Sequence, residues 1–172
     1  MKKNKVVFVM AHDNFNYDEY IIPKRIVEGA GYVVITAGDQ EGTAHSENNV
    51  STPIHMTLEK LSILDYDALV FIGGPGALKY LDNDRSYRII QDAVMHNIAV
   101  GAICSATRIL AKAGALVSKN ATGWNEDGML QDVFEKHGVL YSDDPVVIDG
   151  LCITAQGPEV AEPFAHGLLG IM

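Results

Sequence analysis

The stretch Asn97-Ile-Ala-Val-Gly-Ala-Ile-Cys-Ser-Ala-Thr-Arg-Ile-Leu-Ala-Lys-Ala-Gly114 sets a cysteine where a buried strand turns into a helix. Residues 98–103 form a continuous apolar run with β-branched members, the pattern of a strand covered on both faces of a parallel sheet. From Ala106 onward, Ile109, Leu110 and Ala113 recur at helical spacing. Cys104 lies at the junction, with Ala102 two residues before it and Ala106 two after. A small-x-nucleophile-x-small pattern suits a sharp strand-to-helix turn, because a large side chain at either flank would clash. A thiol at such a turn meets the positive end of a helix dipole, which favours the reactive thiolate. A lone cysteine is otherwise a small, inert core residue. It is the surrounding pattern that points to chemistry.

Outward from this turn, residues 6–10, 32–36 and 68–72 read as further buried strands. Residues 17–30 read as a helix ending at Gly31 and bent by Pro23. Residues 37–49 are polar and turn-rich and read as loop, with short extended pieces around Val50 and residues 54–56. Asp84 caps a helix through Arg88, Ile89, Ile90, Ala93 and Val94. Residues 125–137 read as a helix with Gly138 at its C-terminal cap. Residues 139–141 and 145–148 read as strands, and Asp149-Gly150 is a hairpin turn leading into 151–154. Pro158 suits the first turn of a closing helix that packs Phe164, Leu168 and Leu169, with Pro163 bending it or delaying its start. Strands alternating with helices, followed by a hairpin, predict an α/β sandwich with a mainly parallel sheet. Ligands bind beyond the carboxyl ends of such strands, so the loop after Met10, the Gly73-Gly-Pro-Gly76 turn and the Cys104 elbow are expected to converge.

The 172 residues are expected to form a single domain, residues 1–172, without a linker or repeat. Thirteen Lys and Arg against 22 Asp and Glu give a net charge of −9, a field that repels nucleic acid and anionic membranes. No apolar run reaches membrane-spanning length, and residues 6–10 are too short for a signal-peptide core. Two cysteines far apart, with no CxxC, suit a reducing compartment, and the cytoplasm is the expected location.

Asp18-Glu-Tyr-Ile-Ile-Pro23, Gly73-Gly-Pro-Gly-Ala77, Ala102-Ile-Cys-Ser-Ala106 and Ala155-Gln-Gly-Pro158 stand in this order. With these motifs nearly the whole chain resembles the ThiJ/PfpI superfamily. The resemblance implies a flavodoxin-like three-layer α/β sandwich with a C-terminal β-hairpin, assembled as a homodimer. It also implies that Glu19, four residues before Pro23, reaches the cysteine sulfur. An ionised carboxylate beside a thiolate would raise both pKa values. The pair works if burial keeps Glu19 neutral so that it donates to sulfur, and the two then titrate as a unit. Asp18 suits a plain charge at the helix N-terminus. Gly74 matches the glycine whose N–H faces the cysteine; with the N–H of Ser105 it can hold an oxyanion. Pro75 has no N–H to offer.

Two departures bear on activity. The protease-like branch carries a histidine directly after the nucleophile, where this chain has Ser105. The deglycase branch carries one on the strand after the elbow helix, where Ala121-Thr-Gly-Trp-Asn125 has none. Thr122-Gly-Trp124 looks more like bacterial ThiJ-type members, and Trp124 serves the pocket or the core. His12, after the first strand, is either a substitute base or a surface-loop residue. His96 and His137 fall at helix C-termini, His45 and His55 in loops, and His166 in the last helix. None shows metal-ligand spacing, so neither metal nor cofactor is expected. Cys152 reads as core.

The resemblance then implies a cysteine-dependent enzyme acting on small reactive carbonyls, glyoxalase- or deglycase-like, through Cys104 and Glu19. Two alternatives use the same thiol. One is an amidase or other small-molecule hydrolase with His12 or a partner-subunit residue as base; the other is a redox sensor or chaperone in which Cys104 oxidises to a sulfinate.

Overall fold

Alternation along the first strand decides the layers. In the computed structural model, which describes residues 3–172, β1 (Lys5–Met10) sends Val7 and Val9 into one core and Val6, Phe8 and Met10 into another. A strand apolar on both faces must be covered on both. In chain order there follow β2 (Asp13–Phe15), α1 (Tyr17–Gly29), β3 (Val33–Gly38), β4 (Gly42–Ser46), β5 (Ser51–Ile54), β6 (Met56–Thr57) and β7 (Ala68–Phe71). Next come α2 (Pro75–Tyr80), α3 (Asp84–Met95), β8 (Ala99–Ile103), α4 (Thr107–Lys112), β9 (Asn120–Ala121) and α5 (Leu130–Lys136). The chain closes with β10 (Leu140–Tyr141), β11 (Val146–Asp149), β12 (Cys152–Ala155) and α6 (Ala161–Ile171).

Seven strands form the central sheet in the order β11-β12-β8-β7-β1-β3-β6. Every pairing is parallel except β11 with β12, the hairpin at one edge. Buried side chains of α1 and α6 (Val27, Phe164, Leu168) join the core containing Phe8. Those of α3, α4 and α5 (Ile90, Ile109, Phe134) join the core containing Val7. This is the flavodoxin-like α/β sandwich. Phe71 lies level with Val9 on one side and Ala102 on the other, so the chain leaves β1, β7 and β8 at one edge of the sheet. Asn16 N–H donates to the Gly73 carbonyl at 3.0 Å, tying the start of α1 to the turn after β7. No described helix is long and apolar enough to cross a membrane.

Several local expectations need correction. Residues 37–49 are not all loop: β4 pairs with β2 and β5 in a separate three-stranded sheet. Its single inward apolar side chain, Ala44, is too weak a signal to read. The helix expected at 125–137 is only α5, because Asn125 Oδ1 accepts from Leu130 N–H at 2.9 Å and Asp127 turns to Arg108. Asn83, not Asp84, caps α3, accepting from the amides of Arg85 and Ser86. The short helix α2 after Gly74 was not expected. The closing helix does begin later than Pro158, which instead opens a single 3₁₀ turn.

Candidate active site

The three segments meet as the topology requires. Cys104 follows β8 with φ of 61°, a left-handed conformation that an L-residue adopts only where its surroundings enforce it. A 3₁₀ turn over Cys104–Ala106 then leads into α4. The Cys104 carbonyl is held from two sides, by the Thr107 hydroxyl at 3.0 Å and by Trp124 N–H at 3.3 Å. The thiol itself is half-buried.

Glu19 enters from the first turn of α1, whose N-cap Asn16 accepts from Glu19 N–H at 3.0 Å. Its side chain is 0% exposed. Oε2 accepts a hydrogen bond from Gly73 N–H at 2.9 Å, and Oε1 has no nitrogen or oxygen partner. The Cys104 thiol is the side chain whose hydrogen bonding bears on the carboxyl. Burial pushes the Glu19 carboxyl up to about 8, assisted by the charges of Glu47 and Glu159 and opposed by its bonds to Cys104 and Gly73. A buried carboxylic acid of this kind stays neutral at pH 7.

Burial also pushes the Cys104 thiol up, to about 12, and a charge on Glu19 adds to that. The backbone amides of Ser105 and Gly74 face the sulfur and pull the other way. The positive end of the elbow is therefore present, as expected, but desolvation outweighs it. Once Glu19 holds the proton, its charge no longer opposes the thiolate, and its O–H can donate to sulfur.

The glycine turn makes this approach geometrically feasible. A side-chain carbon on Gly73 would lie 2.7 Å from Cys104 Cβ, from Glu19 Oε2 and from the Ile103 carbonyl. Gly74 has φ of +105°, where other residues are strained. The Ser105 hydroxyl donates to the Gly74 carbonyl at 3.0 Å, fixing the two amide donors relative to each other.

A cavity of about 430 Å³ opens on this group. Glu19, Gly74, Cys104, Ser105 and Trp124 line it, as do Asn16, Gln156, Glu47, Leu78, Glu126 and Glu159. The Ala155-Gln-Gly-Pro158 motif was a signal for the Gln156 wall; nothing in the sequence marked Glu47 or Glu126. His12 is not on the lining. It pairs through Nδ1 with Asp39 at 2.5 Å and rests against the Tyr80 ring. His96 and His137 sit at helix C-caps, and Cys152 is buried beside the Ala115 carbonyl. Among the described residues no group of three or more His, Cys, Asp or Glu is placed to hold a metal.

Behind Trp124 lies a further residue that the sequence did not mark. Arg108, one helical turn beyond Cys104, is 5% exposed and forks onto Asp127 at 2.9 and 2.5 Å. It also donates to the Trp124 carbonyl at 3.3 Å, with its guanidinium 5.3 Å from that ring's centre.

Other proteins share this arrangement of chain. An uncharacterized protein of Methanocaldococcus jannaschii, MJ0967, is 31% identical over 98% of this chain and 82% of its own. The deglycase PH1704 of Pyrococcus horikoshii is 28% identical over 90% of each. More distant relatives carry the names putative cysteine protease (Bacillus subtilis, 27%) and glutathione-independent glyoxalase (Caenorhabditis elegans, 24%). The crystal structure of a ThiJ/PfpI domain protein from Brachyspira murdochii superimposes with a TM-score of 0.93 at 28% identity, covering 99% of this chain and 97% of that one. The model of the DJ-1/PfpI family matches residues 4–170, from the strand that opens the sheet to the helix that closes it, so the chain belongs to that family.

Proposed function

We propose that the chain is a cysteine-dependent enzyme acting on small reactive carbonyls, with Cys104 as nucleophile and Glu19 as proton carrier. The observation that supports it most is the fully buried Glu19 carboxyl beside the Cys104 thiol, both on the lining of an open cavity. The names deglycase and glyoxalase among its relatives agree with that chemistry.

With one proton shared by the pair, the thiolate adds to the aldehyde carbon of an α-oxoaldehyde, and Glu19 gives its proton to the aldehyde oxygen. The carboxylate so formed takes the C–H proton of the hemithioacetal and returns it to the neighbouring carbon, while the hydroxyl proton passes between the two oxygens. The product is a thioester of the α-hydroxy acid. Water hydrolyses it, releasing the acid and regenerating the thiol. The amides of Gly74 and Ser105 hold the oxygen that carries negative charge along the way.

Amide hydrolysis ranks lower because, among the described residues, no imidazole lines the cavity to protonate a leaving amine. The redox-sensor reading draws on the same amides and carboxyl, which would also hold sulfinate oxygens; peroxide titration followed by mass measurement of the Cys104 peptide tests it. We keep with the enzymatic reading the homodimer that the family resemblance implies. The deciding experiment is conversion of methylglyoxal to lactate by wild type and Cys104→Ala. No turnover by wild type, or turnover that survives the substitution, removes the proposal.

A further inference from the structure

The cavity around Cys104 carries charge of one sign. Glu19, Glu47, Glu126 and Glu159 line it, and among the described residues no Lys, Arg or His does. Glu47, Glu126 and Glu159 stand exposed around the mouth. They are not neutralised: none of the three takes part in an ion pair among the described residues, and Glu47 accepts only from the uncharged Asn16 amide, at 2.7 Å. Below them, Glu19 is wholly buried, lines the same cavity and leaves Oε1 without a nitrogen or oxygen partner. The fields of Glu47 and Glu159 reach that carboxyl. Trp124, Leu78 and Pro75 add an apolar stretch of wall, which concentrates the field toward the sulfur.

We infer that the substrate of this site is a carbonyl compound bearing a positive charge, a protonated amine on the body that carries the carbonyl. The inference rests on the proposal that substrate reaches Cys104 through this cavity. An ammonium group at the mouth gains from three carboxylates at once, whereas a carbonyl acid is repelled by all three. The rim glutamates are therefore specificity-determining, separate from the thiol and the acid that do the chemistry. Because they are exposed, their effect is screened by salt.

Thiol-modification rates test this without any turnover. The Cys104 thiolate attacks the thiol sulfur of a methanethiosulfonate, breaks its S–S bond, releases methanesulfinate and is left as a mixed disulfide. Rates are measured with the trimethylammonioethyl reagent and with the sulfonatoethyl reagent, each divided by its rate with 2-mercaptoethanol. The expected cation-to-anion ratio is about tenfold at low salt. It falls several-fold in about 0.5 M NaCl and in the Glu47→Gln/Glu126→Gln/Glu159→Gln variant. A control variant, Asp65→Asn/Asp132→Asn/Glu135→Gln, removes the same net charge from exposed positions off the cavity and is expected to keep the ratio. A ratio at or below one overturns the inference. So does an equal fall in the control, which would assign the effect to the net charge of −9 rather than to the rim.

Phenylglyoxal and its para-trimethylammonio and para-carboxylate forms provide the turnover arm. The cationic form is expected to have the highest kcat/KM and the carboxylate the lowest, and the reverse order overturns the inference. If none of the three forms is converted, the glyoxalase proposal fails while the thiol rates still decide the charge preference.

Discussion

Gly73 and Glu19, 54 positions apart, share a hydrogen bond of 2.9 Å in which the glycine amide fixes the carboxyl oxygen. The contact holds the first turn of α1 against the turn after β7, and it keeps the carboxyl beside the thiol of Cys104. Gly73→Ala would drive a methyl group to 2.7 Å from Cys104, Glu19 and the Ile103 carbonyl. We expect a stability loss of about 1–3 kcal/mol in urea denaturation, accompanied by a shift in the Cys104 thiol titration. A wild-type titration in a folded Gly73→Ala protein would show that the close approach is not needed.

The proposed chemistry starts from a pair holding one proton, and Glu19 loses its proton at about 8. The kcat/KM for methylglyoxal should therefore rise with pH and level off above that value. Glu19→Gln should remove the limb near 8, leaving a rise set by the thiol alone, and lower turnover ~100- to 10,000-fold. An unchanged profile in the glutamine variant would free Glu19 of the proton.

The same shift carries a stability consequence of opposite sense. The folded pKa of Glu19 lies above the ordinary value of 4.5, so its contribution is fully present below 4.5 and is lost as pH rises through about 8. Glu19→Gln keeps the shape without the ionisation. It should be more stable than wild type by about 2–4 kcal/mol at pH 8, with the gap closing near pH 4. Urea midpoints across that range check the trend.

Cys104 pays for its position in backbone strain, with φ of 61°. Glycine adopts that conformation freely, so Cys104→Gly should be more stable than Cys104→Ala by about 1 kcal/mol. Both should be inactive toward methylglyoxal. Equal melting temperatures for the two variants would mean that the elbow relaxes when the thiol is gone.

Arg108 is expected to act through Trp124, the chain's single tryptophan and hence its fluorescent reporter. Arg108→Met removes the fork onto Asp127, whose carboxylate is exposed, and should destabilise the fold by about 1 kcal/mol. Arg108→Lys keeps the charge but not the planar fork, and should shift Trp124 emission to the red in a folded protein. Emission unchanged in the lysine variant would separate the clamp from the cavity wall.

The sequence carried the sheet well where burial is complete. β1, β7 and β8 are continuous apolar runs, and α1, α3 and α4 follow from helical period, whereas α2 gave no such signal and the cap of α3 lies one residue earlier than expected. It carried β4 poorly because Gly42-Thr-Ala-His-Ser46 buries one apolar side chain and owes its strand to partners. At the cavity, the place of Cys104 and the following Ser105 was legible from the strand-to-helix pattern, and that of Glu19 and Gly74 from the family resemblance. Glu47, Glu126 and Glu159 were not, since a polar residue in a loop gives no sign of which way that loop faces. Arg108 was hidden for the converse reason: it sits in an apolar helix face, and its partner Asp127 lies in a segment whose polar residues suggested helix.

The parallel strand order has a temporal consequence. β1 sits between β7 and β3, and β12 docks beside β8, so the cavity is built from contacts distant along the chain. Such contacts close late and slowly compared with local ones. During synthesis the cysteine elbow leaves the ribosome roughly fifty residues ahead of the Gln156–Glu159 wall, several seconds at ordinary elongation rates. Until that wall arrives, Cys104 is an ordinary thiol on a growing chain, open to any oxidant or electrophile and without its complete selective enclosure. Its guarded chemistry is thus a property of the finished sheet, and the interval before closure is when the nascent protein is most exposed to the kind of compounds it is proposed to act on.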